Sequence, residues 1–204
     1  IATVANVDVL RFADAATASL TKAFSGAGDV LAGSVILNRR SRFHGAFSAF
    51  LTREADHELW HGDAVALERN SRDFVQRVRV SSANARSLAA FLAEDSRVAQ
   101  VWHAANDKSG GYESIRREGG GYGSLFSFLL KDAAAKSPGY YDRLRVSKGP
   151  SLGTNFTLAC PYTLLAHYDE LDWAELCGVD RHLLRISTGL EPLADLVERF
   201  SCFE

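Results

Sequence analysis

From about Asp63 to Ala93, the small and apolar residues Leu67, Ser71, Phe74, Val78, Ser81, Ala85, Leu88 and Leu92 recur at alternating steps of four and three. That spacing lines one face of a helix, and a long helix over this span is predicted to divide the chain. Before it, Val7–Phe12, Ala15–Leu20 and Val30–Leu37 are rich in apolar or β-compatible residues and predict strands. Thr21–Asp29, with its glycine and serine breaks, predicts an ordered loop rather than a helix. After the long helix, strands are expected at Arg97–His103, Tyr122–Leu130 and Leu183–Ser187. A short helix is expected at Tyr140–Val146 and a closing helix at Pro192–Phe200, with Pro192 in its first turn, while Asn155–Ala166 fits either element. The mixed order of helices and strands favours an α/β or α+β architecture.

Composition removes several function classes. Hydrophobic residues make up 47% of the 204, enough to bury a sizeable core in one large or two small units. The formal charge of −2 comes from acids and bases spread along the chain. No basic stripe is available for nucleic acid or an anionic membrane. The longest apolar runs, such as Val30–Leu37 and Leu158–Ala166, fall far short of the roughly 20 residues that span a bilayer, so a cytoplasmic location is expected. Cys160, Cys177 and Cys202 are scattered and odd in number, which fits small buried hydrophobes better than a disulfide framework or a zinc site. The chain contains no methionine and opens on Ile-Ala-Thr-Val-Ala-Asn, as a fragment or a processed product would.

Four segments are candidates for chemistry. Ser19-Leu20-Thr21-Lys22 lies between an expected strand and a glycine-bearing loop. An amine partly removed from water at a strand end is favoured in the neutral form that attacks a carbonyl. Ser19 and Thr21, two apart on an extended backbone, would point their hydroxyls to one side, as a phosphate needs. A plain surface lysine is the alternative, and by spacing alone the commoner one. His57-Glu58-Leu59-Trp60-His61 fits H-E-x-x-H, which on a helix could bind zinc with Glu58 as general base. Gly62-Asp63 follows at once, Ala64 stands where an extended motif needs a third histidine, and no metal is expected. Gly119-Gly120-Gly121-Tyr122-Gly123 lacks the Gly-Lys-Ser/Thr ending of a phosphate loop and precedes a strand, so a tight turn is the better reading. Arg185 is a lone cation in the apolar run Leu183–Ser187; a structural ion pair and a bidentate clamp on a substrate carboxylate are both open.

Taken together, these segments resemble the cystathionine γ-synthase family of enzymes that use pyridoxal 5′-phosphate (PLP), and its fungal members most. The resemblance runs over nearly the whole chain. It is carried by Ser19-Leu20-Thr21-Lys22 with Phe24-Ser25-Gly26 and Gly33-Ser34, by Trp60-His61-Gly62-Asp63-Ala64, and by Glu68-Arg69-Asn70-Ser71-Arg72-Asp73-Phe74. It continues through Gly119–Gly123, Lys148-Gly149-Pro150-Ser151-Leu152-Gly153-Thr154-Asn155-Phe156-Thr157-Leu158, Leu165-Ala166-His167-Tyr168, Glu170-Leu171-Asp172-Trp173-Ala174 and Arg185-Ile186-Ser187-Thr188-Gly189-Leu190-Glu191.

The resemblance implies fold type I, the aspartate-aminotransferase-like α/β fold. Residues 1–62 would be the end of the large cofactor domain, 63–94 a long connecting helix and 95–204 the small C-terminal α+β domain. It implies that Lys22 holds PLP as a Schiff base and moves protons, that Ser19 and Thr21 contact its phosphate, and that Arg185 clamps the substrate α-carboxylate with Ser151 nearby. His57 and His61 then fall in a variable region. Family chemistry is γ-replacement on an O-acylated homoserine, in which loss of the γ-ester leaves an electrophile that a thiol such as cysteine attacks. A β- or γ-lyase, a secondary-metabolite enzyme using a carbon or nitrogen nucleophile, and a non-catalytic fragment that only assembles with full-length subunits are the alternatives. The implied partners are amino-acid substrates, a separate N-terminal half if the enzyme is split, and further copies in a homotetramer. Gly26-Ala27-Gly28-Asp29 departs from the Gly-His-Ser-Asp of many bacterial members. The family's pyridinium-binding aspartate, stacking aromatic and phosphate loop would all precede Ile1.

Overall fold

The structure is a computed structural model that describes residues 4–54 and 59–203. It begins with a two-stranded antiparallel pair, β1 (Ala15–Ser19) and β2 (Gly33–Leu37), in which Ala15 faces Leu37 and Ser19 faces Gly33. Three helices follow: α1 (His44–Glu54), α2 (His61–Ser71) and α3 (Phe74–Ala93). The C-terminal part runs β3 (Val98–His103), α4 (Gly111–Ile115), β4 (Leu125–Leu130), α5 (Ala133–Arg143), β5 (Ser147–Lys148) and β6 (Leu158–Pro161). It ends with α6 (Tyr162–Ala166), α7 (Leu171–Leu176), β7 (Leu184–Ser187) and α8 (Leu193–Phe200). Its five strands form one sheet in the order β3-β4-β7-β6-β5, antiparallel throughout except for the β5–β6 pair.

The core lies between this sheet and α3. Burial alternates strictly along β4, so Phe126, Phe128 and Leu130 point to one face, as period-two side chains must. Against them pack Ala85, Leu88, Ala89 and Leu92 of α3, Leu184 and Ile186 of β7, and Leu196 and Phe200 of α8. Tyr140 closes the far side, its ring edge-on to Phe128 and its hydroxyl donating to the Phe200 carbonyl at 2.9 Å. Burial pushes its phenol well above the usual range. The hairpin and α1 are different: Leu31, Val35, Phe43 and Phe50 are exposed, and no side chain of α1 is buried. Among the described residues no helix is long and apolar enough to cross a membrane.

Several expectations need correction. The long helix over 63–94 is two helices, α2 and α3, separated by a turn at Arg72–Asp73. Leu67, Phe74 and Val78 are buried on both sides of the turn, so the apolar stripe survives a break in the backbone that periodicity alone does not register. Val7–Phe12 is not a strand; Val7 makes a single bridge to Arg116 and Val9–Arg11 form a 3₁₀ turn. The helix expected at Tyr140–Val146 begins earlier, at Ala133, and contains Pro138. Pro138 is exposed, so the hydrogen bond it removes faces water while Ser137 and Tyr140 anchor the opposite side. In 155–166 both alternatives occur, β6 and then α6. The helices α1, α4 and α7 have no counterpart in the sequence reading.

His103, at the end of β3, is buried beside the tilted ring of Tyr122, and its Nε2 has no hydrogen-bond partner among the described residues. Burial lowers its pKa. The unfolded state therefore binds the proton more readily, and stability is lost as pH falls below about 6.5, the unfolded value. Replacing His103 with glutamine is expected to flatten the unfolding free energy between pH 7 and 5, measured by urea denaturation. In the same assay Leu88→Ala, which empties a fully buried site on α3, is expected to cost about 2–5 kcal/mol at any pH.

Candidate active site

After β1 the chain makes one wide helical turn, Leu20–Phe24, closed by the Ser25 amide on the Leu20 carbonyl (3.0 Å) and the Gly26 amide on the Lys22 carbonyl (2.8 Å). Such i→i+5 turns are rare in ordinary helices and recur where a side chain must be re-aimed. Lys22, at φ −80° and ψ −130°, is the residue that departs from helical geometry. Its half-buried amine donates to Ser151 Oγ at 2.9 Å, across 129 positions of sequence. Thr21–Phe24 is thus part of a helical turn, where an ordered loop rather than a helix was expected. The extended geometry assumed for Ser19 and Thr21 ends at Ser19. Thr21 Oγ1 is turned to the β2 approach, accepting from the Ala32 amide at 3.0 Å and lying 3.4 Å from the Ala32 carbonyl. The Ser19 side chain is exposed and makes no hydrogen bond among the described residues.

Ser151 belongs to the loop from β5 to β6, and the same loop holds Arg185 of β7. The guanidinium donates from Nη2 to the Pro150 carbonyl and, at 3.3 Å, to the Ser151 carbonyl. It lies 5.0 Å from the centre of the Tyr162 ring, a cation–π contact. Cys160 sits opposite Arg185 in the β6–β7 register. Burial pushes its thiol up, against the opposing pull of the Arg185 cation. Arg185 has no carboxylate partner among the described residues, so the structural ion pair considered for it is absent there. Lys22, Ser151 and Arg185 therefore meet at one place, two of them joined side chain to side chain.

The turn and the loop touch so closely that glycine is required on each. Gly153, at φ 73°, has room for no Cβ because one would lie 2.7 Å from the Ala23 nitrogen. Gly26, at φ 74°, lies against Arg77 and Asn155 so tightly that a side chain would displace both. Arg77 itself is buried at 7% exposure. Its Nη1 donates to the Ala23 carbonyl (3.1 Å) and Asn155 Oδ1 (3.0 Å), and its Nη2 to the carbonyls of Phe24 (2.9 Å) and Asn70 (2.6 Å). Nε donates to Asp73 at 2.7 Å, and this bond holds the Asp73 carboxyl below the usual range. The Asn155 amide adds a backbone bond to the Gly26 carbonyl at 2.7 Å.

Sequence reasoning missed Arg77 and Asn155. A signal existed for Arg77: it stands three residues after Phe74 and four before Ser81, a lone cation on the predicted apolar face. Nothing in local pattern marks Asn155, whose partners are remote in sequence. Of the H-E-x-x-H segment, His57 and Glu58 lie outside the described residues. Leu59 and Trp60 are not helical, so His61 opens α2 and does not close a helix that could align two imidazoles. Among the described residues no group of three or more acidic, histidine or cysteine side chains could hold a metal ion. The glycine run turns the chain toward β4, with the Gly121 amide on Asn6 Oδ1 at 2.9 Å.

Comparison with known proteins shows the family of the chain. A family profile described as Cys/Met metabolism PLP-dependent enzyme matches residues 2–202. A cystathionine gamma-synthase of Neurospora crassa is 46% identical over 202 residues, covering 98% of this chain and 32% of that protein. A cystathionine gamma-synthase-like enzyme of Amanita muscaria is 39% identical, covering 96% of this chain and 36% of that protein. Among solved structures, the cystathionine gamma synthase of Xanthomonas oryzae pv. oryzae in complex with cystathionine superposes with a TM-score of 0.83 at 26% identity. The match covers 97% of this chain and 51% of that one. The chain thus spans about a third of these curated relatives and about half of the solved structure.

Exposure sets the order in which the thiols react: Cys160 is buried beside Arg185, whereas Cys177 is exposed and not the buried hydrophobe expected from the sequence. Titration of the native protein with a disulfide reagent is expected to modify Cys177 first and Cys160 only as the protein unfolds, which peptide mapping of the modified cysteines reads directly.

Proposed function

Because the chain belongs to the family of Cys/Met metabolism PLP-dependent enzymes, we propose that it carries the cofactor-attachment lysine and the substrate clamp of an enzyme performing γ-replacement on an O-acylated homoserine, with a thiol or another nucleophile. The observation that supports this most is the hydrogen bond from Lys22 Nζ to Ser151 Oγ, made where Arg185 is anchored to the same loop.

The donor set suits the cofactor. Lys22 offers a primary amine from the middle of the Leu20–Phe24 turn, and Ser19 offers a hydroxyl with no other hydrogen bond among the described residues. Thr21 would add a second phosphate contact once its long 3.4 Å approach to the Ala32 carbonyl is given up. PLP supplies an electron sink for the bond broken at the amino acid's Cα.

The protein's own groups do the rest. With its amine free, Lys22 would take the Cα proton and hand it on, and Ser151 Oγ would give that amine a fixed resting place between transfers. Arg185 spends Nη2 on the Pro150 and Ser151 carbonyls, which orients the planar fork and leaves other donors for the substrate carboxylate. The exposed apolar side chains of β2 and α1 are where an N-terminal cofactor domain, on the same polypeptide or a separate one, would pack. That domain would bring the carboxylate for the pyridinium nitrogen.

Product analysis with an acylated homoserine, with and without cysteine, tests the reading. Replacement predicts a thioether that appears only with the thiol; a 2-oxo acid and ammonia formed equally in its absence would make the enzyme a lyase. Lys22→Ala is expected to lower kcat roughly 100- to 10,000-fold. Arg185→Lys is expected to raise KM about tenfold or more by losing the fork. Unchanged kinetics in both variants would remove the assignment.

A further inference from the structure

We propose that Arg77, remote from any substrate, is the positioning residue that sets the Lys22 amine against Ser151; the inference rests on the assignment of Lys22 as the attachment lysine.

A guanidinium carries five donors in a fixed plane, and in Arg77 every one has an acceptor. The acceptors belong to four separate pieces of the chain. Asp73 opens α3, and Asn70 lies near the end of α2. Ala23 and Phe24 are the two residues that follow Lys22, and Asn155 lies four residues beyond Ser151. The carbonyls of Ala23 and Phe24 therefore cannot shift without breaking a bond to a buried cation, and that fixes where the Lys22 peptide points. Through Asn155 the same cation holds the loop that carries Ser151. One rigid group thus fixes both ends of the 2.9 Å Lys22–Ser151 bond.

Other contacts make the arrangement specific. Gly26 has no Cβ, and any would collide with Nη1 and Asn155, so the turn lies directly on the guanidinium. The break between α2 and α3 also gains a purpose: in a continuous helix the Asn70 carbonyl would accept from the residue 74 amide, whereas the turn at Arg72–Asp73 leaves it to accept from Arg77. Lysine cannot replace this group, since one ammonium has three donors at a single point and cannot reach five acceptors.

The test uses apoprotein of the intact protein and follows the rate of PLP attachment by absorbance, beside steady-state kinetics. Arg77→Lys is expected to slow attachment roughly 100-fold, the scale set by an ångström of misplacement, and to lower kcat with little change in KM. Asn155→Ala removes only the Arg77 bond to Asn155 Oδ1 and keeps the backbone bond to Gly26, and is expected to slow attachment about tenfold with the fold retained by circular dichroism. This second variant decides the matter if Arg77→Lys does not fold. Wild-type attachment rates in the folded variants, or a loss confined to KM, would overturn the inference and leave the role of Lys22 standing. Attachment by Lys22→Ala at the wild-type rate would instead remove the assignment of Lys22 and the inference with it.

Discussion

The buried guanidinium of Arg77 is the constraint on which the site depends. Burying a cation is costly unless its donors are matched, and here the matching is complete across four chain segments. Removing it would leave the carbonyls of the half-buried Ala23, Phe24 and Asn70 without this partner. The close packing at Gly26 and Gly153 follows from the same centre, because the turn after β1 and the loop before β6 must both come within reach of one side chain.

Around that centre the chain is uneven. The five-stranded sheet, α3, α5 and α8 enclose a core of buried aromatic and aliphatic side chains. The β1–β2 pair has no comparable cover: its strands are intermediate or exposed at every position, and α1 buries no residue. A two-stranded pair gains little stability by itself, so its position relies on the turn at Lys22 and on Arg77. The candidate site therefore lies where the part built on the five-stranded sheet meets the more open β1–β2 pair.

Much of this was legible in the sequence wherever the signal is local. The apolar run of β4, the branched run of β2, the apolar stripe of α3 and the proline ahead of α8 each mark an element near its observed place. The breaks were not legible, because the stripe through Leu67, Phe74 and Val78 keeps its period across the turn at Arg72–Asp73. Burial of Tyr140 outweighs the preference of Pro138 and Gly139 against a helix. Lys22, Ser151 and Arg185 could be named from motifs in the family's order. Their meeting could not, since the bond from Lys22 to Ser151 joins residues 129 apart, and the lone cation Arg77 on the apolar stripe gives no sign of which remote segments it holds.

The central claim is that Lys22 is the amine that holds PLP, and it is tested most directly by borohydride reduction of the PLP-loaded protein followed by peptide mapping. The account predicts a pyridoxyl group on Lys22 and none of comparable occupancy on Lys108, Lys131, Lys136 or Lys148. A label spread evenly over the exposed lysines, or its absence from Lys22, would contradict it.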